Sequence, residues 1–158
     1  MDIYANKDVE KALMRNYHYA FNPSVTYGVP KMKILNIHRD PFVLGGVEWI
    51  PLPVMHAELE VLGFRIGDFA YLTDVNYISE ETFDKLKGVT VLVISALRKF
   101  PHHSHFELND VLEVIDRLKV KAAYLTHMSH LIGLHSDLES ELPKGVYPGY
   151  DGLEIIGE

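Results

Sequence analysis

Residues 122–130 read AAYLTHMSH: a short apolar run stops at Thr126 and is followed at once by His127, with a second imidazole at His130. Residues 69–74 read FAYLTD, the same run ending on Asp74. Both have the length and aromatic content of a buried strand rather than of a helix. A third run, VTVLVIS at 89–95, is apolar at nearly every position, as a strand covered on both faces should be. Just beyond it, PHHSH at 101–105 supplies His102, His103 and His105, and WIPLPVMH at 49–56 ends on His56. Loops beyond the carboxyl ends of strands are where α/β sheets gather their sites, so groups far apart in sequence can meet there. Imidazole and carboxylate together are the donor set of zinc, manganese or iron centres.

Outward from these strands, the chain reads as a layered α/β domain with a mixed sheet. Asp2 to Ala5 suits a strand, Asn6 an N-cap, and Lys7 to about Tyr19 a helix with Val9, Leu13 and Tyr17 on one face. Pro23, Gly28 and Pro30 mark a loop. Extended segments follow near residues 32–37, 47–52 and 60–66, with Gly45-Gly46 turning between the first two and Gly67-Asp68 forming a tight hairpin into FAYLTD. Ser79 caps a helix to about Leu86. A second helix spans residues 107–118 with Leu108, Val111, Leu112, Ile115 and Leu118 on one stripe. A short helix ends before Pro143, and LEIIG closes the chain as a final extended segment.

Composition bounds the function. The chain has 158 residues, 47% hydrophobic and 23% charged, enough for one domain with a sizeable core. A formal charge of −7 with no basic run argues against a general nucleic-acid binder. The absence of cysteine excludes disulfides, thiolate metal sites and a cysteine nucleophile. Histidine is unusually frequent, with nine copies. No apolar run reaches membrane-spanning length and the opening MDIYANKDVEKAL has no signal-peptide core, so the expected location is cytoplasmic.

Each residue also has a structural reading. Asp74 can be a turn former, His56 a hydrogen-bonded loop residue, and the PHHSH cluster a solvated loop with Ser104 capping the next helix. His130 and His135 read as helix-surface groups, and His18 and His38 have no companions. Four strand-end placements of metal-compatible groups weigh toward a site.

The series PVMH, GFRIGDFAYLTD, PHHSHFELNDVLEVIDRL, AAYLTHMSH and YPGYDGLEI resembles the latter part of a metallo-β-lactamase-fold hydrolase, closest to the PhnP-like cyclic-phosphodiesterase branch near the RNase Z enzymes. The resemblance runs in order over essentially the whole chain and implies the C-terminal portion of one αββα hydrolase domain, residues 1–158, with two divalent ions (zinc or manganese) held between two αβ halves. It implies that His56 and Asp74 are metal ligands, that Asp74 bridges both ions, and that His127 binds the second. His105 matches the active-site histidine of an HPTH-like segment, here HHSH, that contacts phosphate or moves a proton. Asp151 matches a recurrent structural position.

The HxHxDH signature that supplies most of the ligands in such enzymes is absent, as are the glycine-rich opening hairpin and the strand leading into the signature. The nearest imitations, His38-Arg39-Asp40 and His103-Ser104-His105, lack the downstream Asp-His. The expectation is a fragment of a larger hydrolase, or a short protein whose first half comes from another chain. Its partners are then the missing HxHxDH-bearing segment and a small cyclic phosphate or nucleotide, with weak metal occupancy and no turnover alone. Without that segment an apolar sheet face or edge should drive self-association. The alternatives are a catalytically silent scaffold that keeps part of the fold, and a receiver-like domain with Asp74 as phosphoacceptor. The second lacks an acidic pair after the first strand and leaves the histidines unexplained. Geometrically, His56, Asp74 and His127 should converge, with His105 at the rim one substrate-width away.

Overall fold

The computed structural model describes residues 1–156 apart from Pro23, Val25 and Thr26. The loop marker Pro23 and the last residue of LEIIG therefore lie outside the described residues. Met1–Phe42 and Val43–Glu158 form two compact units.

In the first unit, strand β1 (Asp2–Ala5) pairs in parallel with β2 (Lys33–Asn36) in the register Asp2↔Lys33 to Ala5↔Asn36. Asn6 caps helix α1 (Lys7–Asn16), its side-chain oxygen accepting from the Val9 amide at 2.9 Å. One helix to Tyr19 is expected. Tyr17 instead leaves helical geometry at φ −120°, ψ 34°, and a separate short helix α2 (His18–Phe21) follows. The run Tyr17-His18-Tyr19 combines residues of poor helix propensity, and the rings of Tyr17 and Tyr19 meet edge to face at 6.4 Å.

The second unit is built on a mixed sheet. Its strands are β3 (Phe42–Leu44), β4 (Val47–His56), β5 (Leu59–Ile66), β6 (Phe69–Leu72), β7 (Tyr77–Ile78), β8 (Val91–Ser95), β9 (Ala122–Thr126) and β10 (Val146–Pro148). The order is β10-β9-β8-β6-β5-β4-β3, with β7 paired to β4. Gly67-Asp68 makes the expected two-residue hairpin between β5 and β6, with Gly67 at φ 55°. Four strands differ from expectation. β3, β7 and β10 form where none is predicted, and Leu153–Ile156 lie in no strand. The chain instead bonds to the sheet earlier, through Ala123 N to Gly145 O and Gly149 N to Leu125 O, and then turns at Tyr150–Leu153.

Strand direction decides where the polar residues go. β4 and β6 are both antiparallel to β5, so they run the same way, and β6, β8 and β9 are parallel neighbours. The C-terminal ends of all four strands therefore share one edge of the sheet.

One sheet face is covered by helices α3 (Glu80–Leu86), α4 (Leu108–Leu118) and α5 (His135–Glu141). Leu72, Leu92, Ile94 and Leu125 are buried there with Leu86, Val111 and Leu138. Each such side chain removed from water contributes about 1.5–3 kcal/mol. Ser79 caps α3 by accepting from the Thr82 amide at 3.2 Å, and Glu107 with Asp110 closes a capping box on α4. Arg117 of α4 grips Glu80 of α3 with two guanidinium nitrogens and lies 3.6 Å above the Phe83 ring, which ties the two helices together.

The other face carries the cross-strand row Phe64, Tyr71, Val93, Tyr124 and Tyr147. Tyr71 and Tyr147 are exposed, and the rings of Tyr124 and Tyr147 stack at 5.5 Å.

Candidate metal centre

The shared strand edge brings His56, Asp74, His105 and His127 together. His56 is the last residue of β4, Asp74 lies two residues past β6, and His127 directly follows β9. His105 comes from the loop between β8 and α4, which two backbone bonds draw inward: Phe106 N to Val75 O at 2.7 Å and Leu97 N to Phe106 O at 3.1 Å.

Nε2 of His56 and Nε2 of His105 face each other at 3.2 Å. A ligand atom from each of His56, Asp74 and His105 lies within 4.8 Å of the others. Nε2 of His127 lies 3.5 Å from Asp74 Oδ1. His105 is therefore not at the rim but between the other imidazoles, its ring 4.6 Å from that of His56 and 4.9 Å from that of His127. The bonds to Val75 and Leu97 are the physical reason, because they pull the loop over the strand ends.

The backbone marks the same places. Asp74 at φ 54° and His127 at φ 55° both adopt the left-handed conformation, as does Ala57 at φ 54°, next to His56. For a residue with a Cβ this costs on the order of 1–2 kcal/mol, and such strain concentrates where surrounding structure fixes a functional side chain. No sequence signal at Asp74 or His127 announces it.

The remaining histidines divide. The rings of His102 and His103 meet tilted at 4.4 Å, and His102 flanks the cluster 5.2 Å from the His105 ring. His130 opens a 3₁₀ turn, and His135 begins α5 against Tyr150. His18 lies in α2 and His38 beyond β2. Asp151 is exposed in a turn and, with Tyr71, Tyr124, His127 and Tyr150, lines a cleft of about 480 Å³ beside the cluster.

Electrostatically, His105 is held below the usual imidazole range by burial first, then by His56 and His127, with Asp74 pulling the other way. His102 is lowered in the same direction, again by burial first and then by His103. Neutral imidazoles are the form that binds metal. The spacing fits as well. Ligand bonds of about 2.0–2.1 Å in a tetrahedral shell put neighbouring donors about 3.3 Å apart, close to the His127–Asp74 separation. The donor set suits a divalent ion.

Mixed-sheet topology with imidazoles and a carboxylate gathered on the strand-end edge defines a metallohydrolase-like fold. Residues 1–128 match the family described as beta-lactamase superfamily domain, and the chain belongs to that family, with a metallo-β-lactamase fold. It is similar to a diphosphatase from the PhnP family, with a TM-score of 0.87 and 33% identity, over 97% of this chain and 56% of that one. It is 33% identical to an octanoyltransferase of Porphyromonas gingivalis over 98% of this chain and 32% of that protein. Zinc-bound PqqB from Methylobacterium extorquens shares the fold, with a TM-score of 0.69 and 15% identity over 97% of this chain and 64% of that one. The chain thus spans about a third of the curated relative's length and just over half of the diphosphatase's. No helix among the described residues is long and apolar enough to cross a membrane.

Proposed function

We propose that the chain is the C-terminal portion of a dinuclear metal-dependent phosphodiesterase acting on a small cyclic phosphate or nucleotide. The carrying observation is Asp74, whose carboxylate lies 3.5 Å from His127 Nε2 and has an oxygen within 4.8 Å of ligand atoms of both His56 and His105. A carboxylate with two oxygens and a charge suits a bridge, whereas imidazoles terminate each shell. The likeness to a PhnP-family diphosphatase supports chemistry at phosphorus. The acidic composition favours a small substrate over a long nucleic acid.

Bound divalent ions supply Lewis acidity and a water acidified toward neutral pH. This chain's residues do the rest. Asp74, fixed at its strand end, sets the separation of the two positions. His105 is suited to move a proton at the reacting centre, because imidazole exchanges a proton near neutral pH; burial favours its neutral form, so it must take up a proton before passing one to a leaving oxygen. Its Nδ1 is buried without a hydrogen-bond partner among the described residues. A ligating histidine normally donates that second nitrogen to a neighbour, so the orphan favours a proton carrier over a ligand.

His56, Asp74 and His127 divided between two ions leave each with about two protein donors, whereas a catalytic zinc takes three. The rest of the set is proposed to come from a segment carrying HxHxDH, within a longer chain or from a second one. The aromatic row Tyr71, Tyr124 and Tyr147 offers that segment a sheet face to cover. The test is to fuse the unmatched part of the PhnP-family diphosphatase to these 158 residues and assay bis(p-nitrophenyl) phosphate with zinc or manganese. Turnover by the fusion and none by the chain alone is expected; turnover that survives Asp74→Ala overturns the reading.

A further inference from the structure

We infer that Asn76 is the positioning residue of the centre: a single amide that locks the His56 turn and the His105 loop to the segment carrying Asp74. The inference rests on the metal reading above but is decided by a readout that needs no metal.

Three bonds converge on this residue. Its backbone N–H donates to Met55 O at 2.8 Å, its Oδ1 accepts from the Ala57 amide at 2.9 Å, and its Nδ2 donates to His103 O at 3.2 Å. The first two bracket His56 on both sides. The third holds the carbonyl two residues before His105. Asn76 itself lies two residues after Asp74.

The strain explains why such a lock is needed. His56 pairs with Leu59, leaving Ala57 and Glu58 as a two-residue hairpin turn. Ala57 sits there at φ 54°, in the position where hairpins of this length ordinarily place glycine. An alanine resists that conformation, and relaxing it would swing the His56 end of β4. The Oδ1 bond to the Ala57 amide opposes the relaxation. On the other side, the loop that carries His105 is fixed at its end by Phe106 N to Val75 O at 2.7 Å, and Asn76 holds its middle. Arg98 donates to Phe100 O at 3.1 Å and to Pro101 O at 2.5 Å at its start, and Asn76 holds it at His103. Only a side chain with an acceptor and a donor on one planar group can serve both partners, which is what an amide offers. Asparagine after a turn also has a merely local use, as a turn former. Here both side-chain bonds reach other segments, 19 and 27 residues away.

The test compares wild type, Asn76→Ala and Asn76→Asp. Imidazole 13Cε1 relaxation in the metal-free protein reads the order of His56 and His105, and cobalt(II) titration by absorption, on the chain fused to the unmatched part of the PhnP-family diphosphatase, reads affinity. Asn76→Ala should raise the mobility of both rings, with core methyl signals unchanged, and weaken cobalt binding about tenfold or more, as loss of an outer partner does. Asn76→Asp, which keeps the acceptor for Ala57 and loses the donor to His103, should restore order to His56 and leave His105 mobile. Wild-type ring order in Asn76→Ala overturns the inference whatever the metal result. Failure of the fused wild type to bind cobalt sinks the metal reading instead, and the relaxation data still decide the role of Asn76.

Discussion

Nε2 of His56 and Nε2 of His105 lie 3.2 Å apart across 49 residues of sequence, on strands and loops that meet only because β4 and β8 run in the same direction. Two imidazole nitrogens so placed must share a proton or a cation, and this choice organises the first two predictions.

Removing either partner changes the cation's side of that balance. His56→Ala should weaken zinc binding by more than about tenfold, because it deletes a proposed ligand, whereas His105→Ala should leave affinity within a few-fold and abolish turnover in the fused protein. Calorimetric titration with zinc chloride measures both. Equal losses for the two variants would make His105 a ligand instead.

The proton's side appears in the pH dependence of folding. The folded-state pKa of His105 is depressed, chiefly by burial. Its contribution to stability is therefore fully present above the unfolded imidazole value of about 6.5 and lost as pH falls through the lower folded value. Thermal melts of the metal-free protein should fall from about pH 6.5 downward. His105→Gln should flatten that segment of the curve, and an unchanged curve would remove His105 as its source.

Gly63 in β5 is a second sensitive point. A Cβ there would meet the Leu72 side chain at less than contact distance and the Tyr71 carbonyl oxygen at 2.7 Å. Gly63→Ala must therefore push β5 and β6 apart, and should cost about 1–3 kcal/mol in urea unfolding. Because Leu72 lies two residues before Asp74, the same variant should also weaken metal binding. A neutral substitution would mean that the strands yield without strain.

The exposed tyrosines predict association. Sedimentation velocity of the 158-residue chain should show concentration-dependent self-association through the Tyr71–Tyr124–Tyr147 face, and Tyr71→Lys with Tyr147→Lys should abolish it. A stable monomer at high concentration contradicts this.

The fold was legible wherever hydrophobic pattern and local chemistry agreed. VTVLVIS and AAYLT read as buried strands because every position is apolar or β-compatible, and Ser79 and Asn6 announce their helices as caps. β3, β7 and β10 were not legible, since strands of two or three residues carry too little pattern and gain their order from pairing with a longer neighbour. The meeting of His56, Asp74 and His127 followed from strand ends alone once the strands ran the same way. The inward position of His105 did not, because it depends on the backbone bonds of Phe106 to Val75 and Leu97, and bond partners across a loop leave no trace in composition. Asn76 escaped notice for the same reason: its role lies in two contacts distant in sequence.

The most direct test of the central claim, that Asp74 bridges two ions in a centre these residues only partly furnish, is a manganese(II) titration followed by electron paramagnetic resonance. The sample is the chain fused to the unmatched part of the PhnP-family diphosphatase. Two ions per molecule with an exchange-coupled spectrum, collapsing to uncoupled manganese in Asp74→Asn, is the predicted result. A coupled pair that persists in Asp74→Asn, or one formed with full affinity by the 158 residues alone, would contradict it.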